Sequence, residues 1–85
     1  MYLGIINVKP LDAYKLLLTF ENNETRVLDM SPYLDKGLYK QLKDVSLFKT
    51  VKISFDTIEW ANEIDLCPEF AYKKSIPVNK IPINT

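Results

Sequence analysis

Histidine is absent from this chain, cysteine occurs once, glycine twice, and acidic and basic residues cancel at eleven each. Each scarcity removes a class of function. Without histidine the commonest general base and the commonest metal ligand are both missing, so Ser-His-Asp, Cys-His and histidine-bearing zinc arrangements cannot be assembled. The single cysteine, Cys67, supports neither an intrachain disulfide nor a four-cysteine zinc site. Gly4 and Gly37 are too few and too far apart for a glycine-rich phosphate loop. A net charge of zero lacks the basic surplus on which phosphate contacts depend, so no direct nucleic-acid binding is expected. The same neutrality gives weak colloidal repulsion and favours a protein partner or a homodimer. Apolar runs such as Leu16-Leu17-Leu18 are too short to cross a bilayer, and no cationic stretch leads into an apolar signal segment. The expectation is a soluble, cytoplasmic protein with no membrane contact, which a lone cysteine also fits.

What is present suits one small fold. With 85 residues, 47% of them hydrophobic, there is material for a single core and no second domain. Gly4–Lys9 is apolar and β-branched, and Pro10-Leu11-Asp12 turns the chain. Tyr14, Leu16, Leu18 and Phe20 then alternate with Lys15, Leu17, Thr19 and Glu21, the period of a strand with one buried face. Leu17 interrupts the polar side, as in a central strand. Asn22-Asn23 offers a tight hairpin, and Glu24–Met30 returns as a third strand.

Ser31-Pro32 reads as a helix N-cap with proline at the first helical position, and Gly37 as the C-terminal cap. Leu38, Tyr39 and Leu42 form a stripe on a second short helix, read as core packing. Asp44 or Ser46 caps a third turn bearing Leu47 and Phe48. Strands resume at Val51–Phe55 and Thr57–Ala61 with a tip at Asp56-Thr57, and Pro68 opens a last helix with Glu69 in its first turn. The order β-β-β-α-α-β-β-α predicts an α+β fold: one antiparallel sheet of five strands with helices packed on one face. Residues 1–74 form the domain. Residues 75–85, with Ile76-Pro77-Val78-Asn79-Lys80 nearly repeated as Ile81-Pro82-Ile83-Asn84, form an extended or disordered tail with no packed face. Such a tail could dock on a sheet edge or groove of a partner or a second copy.

No catalytic residues, metal ligands or cofactor are predicted. Asp29, Asp35, Asp56, Glu59, Asp65 and Glu69 could converge, but solvated charge and helix capping account for them better. Cys67 precedes a helix N-terminus, where a thiolate would be favoured; without a histidine to activate it, the reading is a small buried hydrophobe. The most distinctive stretch runs from Trp60 to Tyr72. Its residues have local tasks, with Trp60 expected to be buried, Asn62 in a turn, and Asp65 accepting from backbone donors. The stretch also gathers an indole, an amide and carboxylates on one strand-to-helix connection, so Trp60, Asn62, Asp65, Glu69 and Tyr72 are the candidate ligand- or partner-binding residues.

The W-x-N-x-x-D-L-x-P-E-x-x-Y pattern of this stretch resembles a widespread bacterial family of short domains of unknown function. Phe20-Glu21-Asn22-Asn23-Glu24, Val27-Leu28-Asp29-Met30 and Leu42–Phe48 resemble that family's other segments, so the likeness covers about Val8 to Tyr72. Asn23 and Glu63 stand where the family often has glycine; asparagine tolerates a positive φ, whereas glutamate is not expected to adopt one. The resemblance implies an α+β fold, no known activity, and a toxin–antitoxin-like pairing with a neighbouring short gene. The function expected is a non-catalytic protein-interaction or regulatory module, the antitoxin-like half of a two-gene pair. The alternative is a small-ligand-binding domain with a cleft near Trp60 and Asp65.

Overall fold

The computed structural model describes residues 3–80. Among the described residues seven short strands are arranged as two sheets: β1 (Ile5–Leu11), β2 (Lys15–Phe20), β3 (Thr25–Asp29) and β7 (Ile76–Pro77) in one, and β4 (Lys52–Ser54), β5 (Thr57–Glu59) and β6 (Asp65–Leu66) in the other. All pairings are antiparallel. Between β3 and β4 lie two 3-10 segments, Ser31–Tyr33 and Gly37–Lys43, and the short helix α1 (Val45–Phe48); α2 (Pro68–Lys74) joins β6 to β7. The α+β class and the antiparallel pairing are as the alternation predicted.

The alternation in β2 is obeyed closely. Leu16, Leu18 and Phe20 are fully buried, and with Ile5, Leu28 and Met30 they give the larger sheet one apolar face. Leu34, Leu42, Phe48, Ile58, Trp60, Leu66 and Ala71, drawn from the helical segments and the smaller sheet, close over it as one core. On the opposite face Leu17 lies across from Val27, and Val27 from Ile76, all only partly covered. Local end signals also hold. The Asp44 carboxylate accepts from the Ser46 and Leu47 amides to cap α1, and Pro68 stands in the first turn of α2 with Glu69.

The sheet is split where one continuous sheet was expected, and β1 explains why. Phe20 N–H donates to Glu24 O and Met30 N–H to Tyr14 O, so the even-numbered residues of β2 bond β3 and the odd-numbered ones bond β1. On β1, Asn7, Lys9 and Leu11 therefore face β2, and Val8 and Pro10 face outward. The Val8 N–H is taken by the side chain of Asn7 at 2.9 Å, and Pro10 has no N–H to give. The Ile5 N–H, at the start of β1, donates to Asp56 O in the turn of the smaller sheet at 2.8 Å. A ladder cannot continue past such an edge.

Other expectations are corrected. The β4–β5 turn is centred on Phe55-Asp56, one residue earlier than expected. Phe55 thus leaves the buried alternation and sits in the turn with φ +56° and 97% of its surface exposed. Gly37 opens a 3-10 segment where it was expected to close a helix, and Ser31 provides no side-chain cap to Ser31–Tyr33. Cys67 is exposed, because the strand alternation that buries Leu66 turns Asp65 and Cys67 outward. Glu63 does adopt a positive φ, +68°, matching Asn23 at +66°. Each is the last residue of a three-residue hairpin loop, the left-handed position that such loops require.

The tail also departs from expectation at its start. Ser75 is buried and Ile76–Pro77 pair with Val27 and Arg26 of β3, so these residues pack into the sheet. Pro77 occupies an edge strand, where a missing N–H is tolerated. Val78–Lys80 is a 3-10 turn, and Ile81–Asn84 lie outside the described residues.

Candidate functional site

The loop after β5 is built by its own hydrogen bonds. Trp60 N–H donates to Ile64 O at 2.8 Å, Glu63 N–H donates back to Trp60 O at 2.9 Å, and Asn62 Oδ1 accepts from Ile64 N–H at 3.3 Å. This fixes Asn62 and Glu63 at the apex and starts β6 at Asp65. Facing the loop is the 3-10 segment that begins at Gly37. Two bridges hold them together: Asn62 Nδ2 donates to Gln41 Oε1 at 2.9 Å, and the Tyr39 hydroxyl donates to Asp65 O at 3.3 Å.

Between these walls runs an open groove of about 540 Å³, bordered by Lys36, Leu38, Tyr39, Gln41, Asn62, Glu63, Ile64 and Asp65. Its character is mixed. Leu38 is 68% exposed and supplies an uncovered apolar surface. Burial, then the Asp65 carboxylate and Cys67, push the Tyr39 phenol above its ordinary value, so it remains a neutral donor at physiological pH. The Gln41 amide nitrogen and the second Asn62 N–H are donors not used in the bridge. Lys36 on one wall and Glu63 and Asp65 on the other add charges of both signs.

The five predicted site residues do not converge. Asn62 and Asp65 border the groove. Trp60 lies beneath it, 1% exposed, with its indole N–H donating to Phe48 O at 3.0 Å, and offers no face to a ligand. Glu69 is exposed on the first turn of α2. The Asp65 carboxylate is also exposed and makes no hydrogen bond to backbone donors among the described residues; only the Asp65 carbonyl is engaged, by Tyr39. Tyr72 is directed elsewhere. Leu38, Tyr39 and Gln41 were not expected at a site, since the Leu38–Leu42 stripe reads as core. Only Leu42 is fully buried, because the tighter 3-10 winding rotates Leu38 outward.

Tyr72 belongs to a second cluster around Arg26. The Arg26 guanidinium donates through Nε to Ser75 Oγ at 2.7 Å, through Nη2 to Ser75 O at 2.7 Å, and through Nη1 to Glu24 Oε2 at 2.8 Å. It also stacks 4.1 Å from the centre of the Tyr72 ring. The Tyr72 hydroxyl donates to Glu24 Oε1 at 2.6 Å, and its ring meets Phe20 edge-on. This cluster joins the β2–β3 hairpin, α2 and β7. Its hydrogen bonds are mutually satisfied, and among the described residues no buried side-chain nitrogen or oxygen lacks a partner. It is a structural clasp.

The clasp carries a pH dependence. Hydrogen bonds from Tyr72, Arg26 and Asn22 hold the Glu24 carboxyl below its ordinary 4.5. With a lowered folded value, the unfolded chain takes up the proton first as pH falls. The stabilisation is therefore fully present above about pH 4.5 and is lost as acid passes through the lower folded value. Glu24→Gln should flatten the dependence of the urea midpoint on pH in that acidic window; parallel curves for the two proteins would contradict the assignment.

Among the described residues no three carboxylate or thiol side chains gather as a metal-binding group, and no helix is long and apolar enough to cross a membrane. The family model described as Protein of unknown function (DUF2442) matches residues 5–77, from the first residue of β1 to the last of β7. No curated protein and no solved structure matches the chain.

Proposed function

This chain belongs to the DUF2442 family of proteins of unknown function, and from its own surface we propose that it is a non-catalytic protein-interaction module whose partner engages the groove between Gly37–Lys43 and Asn62–Asp65. The observation that carries this reading is the openness of a groove that still combines an exposed apolar side chain with free amide donors. A small-molecule site generally buries most of its ligand in an enclosed, mainly apolar cavity. An open groove suits a segment of a protein, which gains its remaining burial outside the groove. Leu38 is the apolar anchor, and the Asn62 and Gln41 amides fix the register of the bound chain.

The partner is the product of a neighbouring short gene, with this chain as the antitoxin-like, regulatory half of the pair, as the sequence resemblance implies. The absence of histidine and the neutral net charge support regulation by protein contact over catalysis or nucleic-acid binding. Leu38→Asp should weaken partner binding in calorimetry by about 30-fold or more, the loss expected of a hot-spot anchor. Because Leu38 is exposed, the thermal midpoint should stay close to wild type. Unchanged affinity in Leu38→Asp would place the interface elsewhere.

A further inference from the structure

One side of the groove is the outer edge of the smaller sheet, where β6 follows β5 in the strand order. In the β5–β6 hairpin Trp60 N–H donates to Ile64 O, so Trp60 with Ile64, and next Ile58 with Leu66, are the hydrogen-bonded pairs. Glu59 and Asp65 between them form a non-bonded pair, which turns both the N–H and the C=O of Asp65 away from β5. The Tyr39 hydroxyl meets that carbonyl at 3.3 Å, so the outward side of Asp65 faces the groove. Among the described residues the Asp65 N–H has no acceptor. Its carbonyl carries one long bond and keeps a second lone pair. The outer strands of the larger sheet offer less. There the Val8 amide is taken by Asn7, Pro10 and Pro77 have no N–H, and both backbone groups of Ser75 are already bonded.

We propose that the partner enters the groove as an extended strand laid antiparallel on β6, with a lysine or arginine opposite Asp65. This rests on the reading of the groove as the partner-binding face and names the form and charge of the segment bound there. In strand addition, main-chain hydrogen bonds supply affinity and alternate side chains supply selectivity. The Asp65 N–H and C=O close a reciprocal pair with the residue that lies opposite.

Charge selects that residue. Lys52, Glu59 and Asp65 stand in one cross-strand row, and an added strand supplies its fourth place, next to Asp65. The groove lining carries two carboxylates, Glu63 and Asp65, against one lysine, Lys36. No ion pair with a described residue neutralises Glu59, Glu63 or Asp65. A basic side chain opposite Asp65 is therefore favoured, and an acidic one is opposed. The same row disfavours a second copy of this chain as the occupant. Two β6 edges paired antiparallel about a two-fold axis at their one outward residue would set Asp65 against Asp65.

Capped pentapeptides are the probe, titrated into the labelled full chain and followed by amide chemical shifts. Thr-Val-Lys-Val-Thr should move the Asp65 amide together with Leu38 and Gln41, and saturate. The same peptide with its lysine nitrogen methylated cannot donate to the Asp65 carbonyl and should bind about tenfold more weakly. Thr-Val-Glu-Val-Thr should bind about fivefold more weakly than the lysine peptide. Asp65→Asn keeps the backbone edge and should remove most of that preference; because Asp65 is exposed, the thermal midpoint should barely change. The proposal is overturned if the methylated or the glutamate peptide binds as tightly as the lysine peptide, or if no peptide acts at millimolar concentration. With the whole partner, groove shifts without slowed exchange at the Asp65 amide would overturn strand addition and leave the groove reading standing. Absence of groove shifts would remove both.

Discussion

Trp60→Ala is expected to destabilise the domain by about 3–5 kcal/mol, the range for deleting a large aromatic from a packed core. Trp60 is the largest of the fully buried side chains, lying near Phe48 with 6.1 Å between ring centroids. Its indole N–H satisfies the Phe48 carbonyl at the end of α1, so the substitution both opens a cavity and leaves that acceptor unpaired. Small domains have total stabilities of about 5–15 kcal/mol and this one sits towards the small end, so loss of a cooperative thermal transition is the expected result. Trp60→Phe retains part of the packing and should fall between the two. A native tryptophan emission maximum at the fully hydrated wavelength, or a cooperative Trp60→Ala transition near the wild-type midpoint, would contradict this account.

Arg26→Ala should have the second-largest effect, about 3 kcal/mol, from losing charge-assisted hydrogen bonds and the stacked Tyr72 ring together. Arg26 is 9% exposed and its guanidinium donates to the hydroxyl and the carbonyl of Ser75, so its removal leaves a buried carbonyl without its donor, while the hydroxyl keeps its own bond to Tyr72 O. Glu24 is less affected because its side chain retains 35% exposure and can be rehydrated. The loss should be local as well as global. Without Arg26, β7 loses its side-chain tie to β3 and keeps a two-residue pairing, and hydrogen exchange at Ile76 should rise well beyond the change in overall stability. Exchange at Ile76 that tracks global unfolding in both proteins would argue that β7 is fixed by other contacts.

Much of the larger sheet was legible because its signals are local. The Leu16–Leu18–Phe20 alternation, the Asn22-Asn23 turn, the Asp44 cap and the Pro68 helix start each require only neighbours in sequence. What escaped depends on side-chain hydrogen bonds that no alternation shows, and mostly on distant partners. The split into two sheets rests on the Asn7 side chain closing the Val8 amide beside Pro10, and the Ile76–Pro77 strand rests on an Arg26–Ser75 contact 49 residues apart. The candidate site was half legible for the same reason. Asn62 and Asp65 lie in a distinctive stretch, but their groove is completed by Leu38, Tyr39 and Gln41. Tyr72, close to them in sequence, is carried by α2 towards Glu24 instead. Glu63 and Phe55 show the converse: both hold left-handed positions that composition alone would assign to glycine.

The central claim is that the groove between Gly37–Lys43 and Asn62–Asp65 is the face that meets a protein partner. Its most direct test is an amide and side-chain chemical-shift titration of the labelled chain with the partner proposed above, the product of a neighbouring short gene. The account predicts saturable shifts centred on Leu38, Tyr39, Gln41, Asn62 and Asp65, including the side-chain amides of Gln41 and Asn62. Shifts confined to the outer face of Leu17, Val27 and Ile76, or a spectrum unchanged at saturating partner, would contradict it.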